Sequence, residues 1–317
     1  MIERVTEYGD GIFAIDTGLL RPGFDASYLV VEQGRAAFID TGTAYAVPFL
    51  LYALAEQGLQ ASQVDWVILT HVHLDHAGGA GALLQHLPNA RLVVHPRGAR
   101  HMIDPSALVA GASAVYGEQA MQDTYGTLVP VPAERVVEAA DGHVVDMAGR
   151  TLLCLDTPGH ARHHLSVFDA RSQSFFAGDT FGISYRDTDG PQGAFIIPTS
   201  SPVQFEPDAL RASIERLCAY LPQAMFLTHY GRVADVPARA ADLIDQIAAM
   251  VAIVHELGER PERHAELAQR LQAYYLARAA HYGCPLPAAR VAELLAMDIE
   301  LNAQGLAVWW DRQQKTA

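Results

Sequence analysis

Short apolar runs bounded by Gly, Pro, Asp and Asn recur along the chain as far as residue 227. Such runs are typical of β-strands, and segments with helical spacing of apolar positions lie between them. The predicted strands are 4–8, 12–16, 27–31, 36–40, 66–69, 91–95, 136–137, 143–147, 151–156, 165–169, 174–177 and 224–227. The predicted helices are 44–57, 81–87 and 209–220, with one or two more within the Ala-rich residues 97–128.

The pattern changes twice after residue 180. Residues 181–207 are irregular, and a loop of that length in a compact domain is usually functional or mobile. From residue 238 onward Ala, Leu, Glu, Arg and Gln dominate, and Gly and Pro punctuate three predicted helices at 238–257, 261–281 and 287–303. We therefore predict a strand-containing domain at residues 1–237. The helical region at 238–317 would serve as a lid over a site, as a dimer surface, or as both.

Composition and charge narrow the classes of protein. Half of the 317 residues are hydrophobic, which allows a substantial core and predicts a globular chain. The formal net charge of -14 argues against a nucleic-acid partner, because phosphate contacts need clustered Lys and Arg. The N-terminal residues lack the apolar stretch of a signal peptide, and no apolar run has the length of a membrane span. We expect a cytoplasmic protein with no membrane partner and, from its three widely spaced cysteines, no disulfide framework.

One segment concentrates metal-capable side chains. His71, His73, Asp75 and His76 follow directly after the apolar run 66–69. If that run is a buried strand and the chain leaves it extended, His71, His73 and Asp75 point to the same side. His76 needs a turn to join them, and the glycine pair that follows supplies backbone freedom for one. Imidazole and carboxylate suit zinc, iron or manganese better than calcium or magnesium, so the segment predicts a transition-metal site rather than a solvent-facing polar loop.

Three further candidates occur in the same context as this segment. His160, Asp179 and His229 each follow an apolar strand within a few residues. Taken singly, each has an ordinary alternative role, as a turn residue or as a surface histidine. Metal sites need several such groups to converge, so together with the first segment they predict one site at a sheet edge, carried by loops on a rigid scaffold.

These segments read, in order, Thr-His-x-His-x-Asp-His-x-x-Gly, Pro-Gly-His, Gly-Asp and Thr-His. This order resembles that of the metallo-β-lactamase superfamily and is most similar to its glyoxalase II-like branch. The resemblance covers roughly residues 5 to 235 and includes the early Asp motif at 40–42. It implies an α/β fold, the αββα metallo-β-lactamase sandwich, with two mixed sheets face to face, helices outside and metals at one edge. Residues 1–237 would then be the catalytic domain, followed by a C-terminal helical extension.

The resemblance also implies a set of ligands for two divalent metal ions, zinc in the first place, with iron and manganese open. The ligands of the first ion would be His71, His73 and His160. Those of the second would be Asp75, His76 and His229. Asp179 would bridge the two ions, and Asp40 would orient the histidine loop from behind it.

The expected activity is hydrolysis. Two cations bridged by a carboxylate and a solvent molecule yield hydroxide near neutral pH and stabilise the oxygen that gains charge. We expect a metal-dependent hydrolase of small ester or thioester substrates, with lactones also in range, in which Asp75 additionally orients the nucleophile. The alternatives are a phosphodiesterase on the same metals, a one-iron oxidoreductase, and a ligand-binding or regulatory protein whose hydrolysis is incidental. Commonest-subclass β-lactamases carry Cys in place of Asp179, which argues against hydrolysis of antibiotics.

Two further expectations concern the surroundings of the site. Phe181, Tyr185, Phe195 and Ile197 would form an apolar wall above the metals, or would instead pack against the C-terminal helices. Of the adjacent pair formed by residues 163 and 164, one imidazole would lie behind the ligands and the other would be solvated. The partner would be a small-molecule substrate, and homodimerisation through the helical region stays open.

Overall fold

Strands form two sheets within residues 4–200, 202–260 and 262–316, the parts of the chain that the computed structural model describes. The strands of the first sheet are β1 (Val5–Glu7), β2 (Ile12–Asp16), β3 (Ala26–Glu32), β4 (Arg35–Ile39), β5 (Val64–Ile68), β6 (Arg91–Val94) and β7 (Val136–Glu138). They neighbour one another in chain order, antiparallel from β1 to β4 and parallel from β4 to β7. The sequence pattern predicts each of them.

The second sheet contains the remaining named strands. These are β8 (His143–Met147), β9 (Arg150–Asp156), β10 (Leu165–Asp169), β11 (Ser174–Gly178), β12 (Ala224–Leu227) and β13 (Gly231–Val233). They neighbour one another in reverse order from β13 to β8, and only the pairing of β11 with β12 is parallel. Only the short β13 is absent from the prediction.

Helices cover the outer faces of both sheets. They are α1 (Val47–Glu56), α2 (Leu74–Ala77), α3 (Ala80–His86), α4 (Pro96–Ile103), α5 (Ser106–Tyr116), α6 (Glu118–Tyr125), α7 (Pro207–Cys218), α8 (Val236–Leu257), α9 (Arg263–His281), α10 (Ala288–Leu294) and α11 (Ala296–Thr316). Residues 97–128 thus contain three helices rather than one or two. The single helix predicted at 287–303 is also wrong: the backbone leaves helical geometry at Leu295, and α11 continues through Gly305, a residue disfavoured inside helices.

The layers follow from alternation along the central strands. Ala37 and Ile39 of β4 face the other sheet, where they pack in one apolar cluster with residues such as Phe176 of β11. Phe38, between them, faces outward into the cluster under α1, α3 and α4. Because both faces of the strand are covered, β4 reads as a continuous apolar run. The αββα sandwich with C-terminal helices is therefore confirmed, whereas the division at residue 237 stays a prediction.

The irregular stretch 181–207 is held by the C-terminal helices. Phe181, Tyr185, Phe195 and Ile197 are all buried in the cluster that contains α8, α9 and α11, so they pack against these helices. Side chains of the helices also satisfy carbonyl groups of the stretch. Gln246 Nε2 donates to Ile196 O at 2.8 Å, and Arg312 Nη2 donates to Phe205 O at 2.6 Å. Buried backbone groups need such partners, which explains how a long segment without regular structure is accommodated in the core.

Among the residues described, none of the helices combines the length and the apolar content that a membrane span requires.

Candidate metal centre

All seven candidate side chains lie at one edge of the sandwich. His71 and His73 follow β5, and α2 carries the next two candidates, Asp75 and His76. The prediction that the chain stays extended as far as Asp75 is therefore wrong, because α2 begins at Leu74 and places Asp75 beside His76 and His229. His160 lies in the connection from β9 to β10, and the remaining two follow β11 and β12 directly. The structure therefore brings together groups that are spread over the chain from residue 71 to residue 229, as the strand-end pattern predicts.

The turn that brings His76 to the cluster is the short helix α2. The predicted reason for the two glycines after it is wrong, because both have ordinary helical dihedrals: φ is -60° at Gly78 and -84° at Gly79. They are required for space instead. A Cβ atom at Gly79 would lie 2.7 Å from the carbonyl oxygen of Thr43, closer than two such atoms can approach. Gly79 thus lets the histidine loop pack directly on the backbone after β4.

Three imidazoles form the first group. Nδ1 of His73 lies 2.8 Å from Nε2 of His71 and 3.1 Å from Nε2 of His160. Burial, together with the neighbouring imidazoles, lowers the pKa of His71 and of His73 well below the usual range, and burial also lowers the pKa of His160. Neutral imidazoles present lone pairs, so three nitrogen donors converge on one point in the form that binds a metal ion.

Asp75, His76 and His229 form the second group. Oδ2 of Asp75 lies 3.4 Å from Nε2 of His229 and 3.8 Å from Nε2 of His76. Burial alone would lower the pKa of His229, but the carboxylates of Asp75 and Asp179 raise it to about 9. Burial would likewise lower the pKa of His76, but the carboxylates of Asp179 and Asp75 raise it well above the usual range. The carboxylates thus favour positive charge at this point, which is the electrostatic signature of a cation site.

Asp179 lies between the two groups. Its Oδ1 is 3.4 Å from Nε2 of His76, and its Oδ2 is 3.4 Å from Nε2 of His160. Both Oδ1 of Asp179 and Nε2 of His76 are buried, and neither has a hydrogen-bond partner among the described residues. Buried polar atoms are rarely left unsatisfied, and here they face each other across the cluster. This arrangement fits a metal-binding site, and the nitrogen and oxygen donors suit zinc, iron or manganese.

Asp40 fixes the ligand segments from behind. Its Oδ1 accepts from Thr70 N at 2.8 Å, and its Oδ2 accepts from Thr228 Oγ1 at 3.0 Å and lies 3.0 Å from Nδ1 of His76. Thr70 directly precedes His71, and Thr228 directly precedes the histidine at the end of β12. One buried carboxylate therefore ties both segments together and turns Nε2 of His76 toward the cluster, as the resemblance implies for Asp40.

Two more ligand rings are oriented by backbone carbonyl groups. Nδ1 of His229 lies 2.8 Å from the carbonyl oxygen of Phe24, and Nδ1 of His160 lies 3.4 Å from that of Thr199. A carbonyl oxygen only accepts hydrogen bonds, so the contact with Phe24 places a proton on Nδ1 of His229. In both rings Nε2 faces the cluster, 3.4 Å from a carboxylate oxygen of Asp75 or Asp179.

His163 and His164 are both buried, so the prediction that one of them is solvated is wrong. They precede β10 rather than belonging to it, and the loop that carries them runs beneath the site. Nε2 of His164 accepts from Asp179 N at 3.1 Å, while its Nδ1 lies 2.9 Å from the hydroxyl of Thr157. His164 therefore holds the backbone of the central carboxylate, which is the supporting role predicted for one member of the pair.

Two carboxyl groups beside the site, the buried Asp25 and the half-buried Asp298, are not predicted by the sequence. Asp25 hydrogen-bonds to the hydroxyl of Thr17, and Asp298 of α11 accepts from the hydroxyl of Tyr185 at 3.1 Å. Burial raises the pKa of Asp25 and that of Asp298 to about 7 in each case. Neither lies in a recognisable motif, since only the fold brings the loop before β3 and the C-terminal helix to this edge.

Comparisons with known proteins match the part of the chain that contains most of the candidate side chains. The family model described as the metallo-beta-lactamase superfamily matches residues 20–217. A metallo-beta-lactamase fold-containing protein of Sulfurisphaera tokodaii is 25% identical over 228 residues, which are 70% of this chain and 79% of that protein. A hydroxyacylglutathione hydrolase of Stenotrophomonas maltophilia is 32% identical over 152 residues, and an atrochrysone carboxyl ACP thioesterase of Aspergillus chevalieri is 26% identical over 180 residues. The matched segments cover 48% and 56% of this chain but only 44% and 47% of these two relatives, less than half of each.

The fold resembles the crystal structure of an archaeal metallo-beta-lactamase superfamily protein from Sulfolobus tokodaii. The TM-score is 0.65 at 22% sequence identity, and the alignment covers 95% of this chain and 99% of the other. At this identity the likeness concerns the fold alone. Because the alignment covers nearly the whole chain, the likeness includes the C-terminal helices as well as the sandwich.

Proposed function

Because the chain belongs to the metallo-beta-lactamase superfamily, we propose that it is a hydrolase of small ester or thioester substrates with two divalent metal ions. Zinc is the first choice, and iron or manganese would suit the same donors. The observation that carries this proposal is the position of Asp179, which directs one carboxylate oxygen toward each of two groups of ligand-type side chains. A carboxylate in that position is suited to bridging a pair of ions rather than serving one.

The proposed ligands divide as the two groups do. His71, His73 and His160 would hold one ion, Asp75, His76 and His229 the other, and Asp179 both. Ions held there would supply two effects: a lower pKa for bound water, and polarisation of the bond to be cleaved. In this proposal residues 1–237 contain all the metal ligands. The helical region at 238–317 holds the long loop in place.

Asp75 is proposed to act on the nucleophile as well as being a ligand. Burial would raise its pKa, but His76 and His229 lower it well below the usual range, so the carboxylate stays ionised. Its side chain is 29% exposed, whereas those of His76 and Asp179 are 0% and 7% exposed. Asp75 is therefore the ligand group that an entering substrate meets, in a position to accept a hydrogen bond from the attacking water and orient it.

The low accessibility of the candidate side chains supports a small substrate. Only His73 and Asp75 of the seven side chains are more than marginally accessible, so the reacting group must enter on their side. The printed names of the relatives include a hydroxyacylglutathione hydrolase and an acyl carrier protein thioesterase, both of which cleave thioesters by name. A thiolate leaving group departs without a proton donor, which suits a site whose polar groups are occupied as ligands.

A substrate panel on the full-length, zinc-loaded protein tests the proposal. The panel contains a hydroxyacylglutathione, a short-chain acyl thioester, a p-nitrophenyl ester, a lactone and bis(p-nitrophenyl) phosphate. We expect kcat/KM for the best thioester or ester to exceed that for the phosphodiester by at least about 100-fold, the scale on which a built site discriminates. Faster turnover of the phosphodiester would instead support the phosphodiesterase alternative. Absence of turnover on every member would leave the ligand-binding alternative.

A further inference from the structure

One buried amide stands out in the apolar cluster formed by the C-terminal helices. Asn302 of α11 is 1% exposed, and its side chain uses its hydrogen-bonding capacity in full. Nδ2 donates to Pro198 O at 2.9 Å and to the hydroxyl of Tyr275 at 3.0 Å, while Oδ1 accepts from Ser200 N at 2.7 Å and from Ser200 Oγ at 3.1 Å. Burying an amide is costly unless every bond is made, so this network is a built connection rather than a chance contact.

Three of these four hydrogen bonds reach residues 198–200 of the long loop. Pro198 and Ser200 are both bonded to the same side chain, so the residue between them, Thr199, is held from both sides. The helix is shaped for this contact. A Cβ atom at Gly305, one turn beyond Asn302, would lie 2.9 Å from Cβ of Ser200 and 3.1 Å from its carbonyl oxygen. A glycine disfavoured in a helix interior thus provides the space in which α11 approaches the loop.

Thr199 in turn contacts a proposed metal ligand. Its carbonyl oxygen lies 3.4 Å and its hydroxyl 3.3 Å from Nδ1 of His160. The opposite nitrogen of that ring, Nε2, lies 3.1 Å from Nδ1 of His73 and 3.4 Å from Oδ2 of Asp179. The orientation and the tautomer of the His160 ring therefore depend on where Thr199 is held.

We infer that Asn302 is a positioning residue for the metal centre: by holding residues 198–200 it keeps Thr199 against His160. The C-terminal helices thereby control the affinity of the three-histidine site for its metal ion, although none of the seven proposed ligands comes from them. This inference rests on the proposed function, since it requires that His160 bind a metal ion. It assigns to α11 a role in metal binding that is separate from covering the site.

Zinc titration of the full-length protein against a chromophoric chelator tests this role. We expect Asn302→Leu, which keeps the volume and removes all four side-chain bonds, to weaken one of the two zinc sites by about 10-fold to 100-fold and leave the other unchanged. Leu267→Ala is the matched control, because it disturbs the same helical cluster without removing a hydrogen bond to residues 198–200. It should bind both zinc ions as the wild type does.

A spectroscopic measurement separates positioning from general destabilisation. In the ¹⁵N spectrum of the histidine rings, His160 should be protonated at Nδ1 in the wild type and a mixture of tautomers in metal-free Asn302→Leu. Ser200→Ala removes only the hydroxyl contacts, so it should fold and should shift zinc affinity in the same direction by a smaller factor. If Asn302→Leu does not fold, wild-type zinc affinity in Ser200→Ala overturns the inference.

Three other results would also overturn it. Wild-type zinc affinity in Asn302→Leu would show that the connection does not reach the ligand, while leaving the proposed function intact. An equal loss in Leu267→Ala would show that the helices act through stability alone. A wild-type protein that binds no zinc, iron or manganese would instead overturn the proposed function together with this inference.

Discussion

Replacing Asp179 with Asn is expected to lower kcat/KM for the best thioester substrate by about 1,000-fold, equivalent to about 4 kcal/mol of transition-state stabilisation. The variant keeps the shape of the side chain but removes its charge and turns an amide group toward one of the two ligand groups. In the wild type, one carboxylate oxygen of Asp179 lies 3.4 Å from His76 and the other lies 3.4 Å from His160. In the variant only one of these two atoms is an oxygen, so the side chain could serve only one ion. We expect bound metal to fall from two ions to about one per chain, with loss of activity as the consequence.

The matched control for this prediction is Asp208→Asn, which makes the same change of charge at an exposed position of α7. It should retain wild-type activity and metal content. Circular dichroism should show that both variants are folded, since the fold around β11 does not depend on the charge. An Asp179→Asn protein that keeps both metal ions and more than about a tenth of the activity would contradict the bridging role.

Replacing Arg150 with Met should lower the free energy of unfolding by about 3–5 kcal/mol, because it leaves a buried carboxylate without its partner. The side chains of Arg150 and Asp169 are both 0% exposed and form a two-pronged ion pair between the start of β9 and the end of β10. Nη1 of Arg150 also donates to the carbonyl oxygen of Asp10 at 2.6 Å, in the first sheet's β1–β2 turn. The pair therefore connects the two sheets at the end opposite the candidate metal centre.

The pH dependence of this effect has a definite sign. Burial would raise the pKa of Asp169, but the hydrogen bonds from Arg150 and Ser172 lower it, so the stability that this carboxylate contributes is lost in the wild type as pH falls through its folded pKa. In Arg150→Met the unpaired carboxyl has a raised pKa, and its protonation on acidification relieves the cost of burying a charge. The difference in stability between the two proteins should therefore shrink between neutral pH and about pH 4.

Chemical denaturation measures this prediction. Arg211→Met is the control, because it breaks an exposed ion pair of 3.2 Å with Glu215 and should cost no more than about 1 kcal/mol. If Arg150→Met were as stable as that control, the buried pair would not be the connection between the sheets that its geometry indicates.

The convergence of the seven candidate side chains is the part of the structure that the sequence predicts most completely, because its signal is local. His71 and His73 alternate after an apolar strand, Asp75 and His76 follow on α2, and each of the more distant candidates lies within four residues of the end of a strand. Strand ends on a twisted sheet meet at an edge, so their order along the chain is enough to predict convergence. The same local signal predicts nearly all strands, since turn residues bound them on both sides.

The sequence does not predict the contacts between the C-terminal helix and the long loop beside these side chains. Asn302 and Asp298 lie on a helix whose composition is typical of any packed helix, and their partners lie in an irregular loop about 100 residues away. No periodicity links the two segments. The sequence also does not predict that Phe181 and Ile197 pack against the helices. An apolar residue in a loop is compatible with either a pocket wall or a core.

The most direct test of the metal-dependent account is metal analysis of the full-length protein purified without added metal, combined with chelation and the thioester assay. The account predicts about two transition-metal ions per chain, loss of hydrolysis when a chelator removes them, and recovery when zinc, iron or manganese is returned. A preparation that contains no transition metal and yet hydrolyses thioesters at the full rate would contradict it.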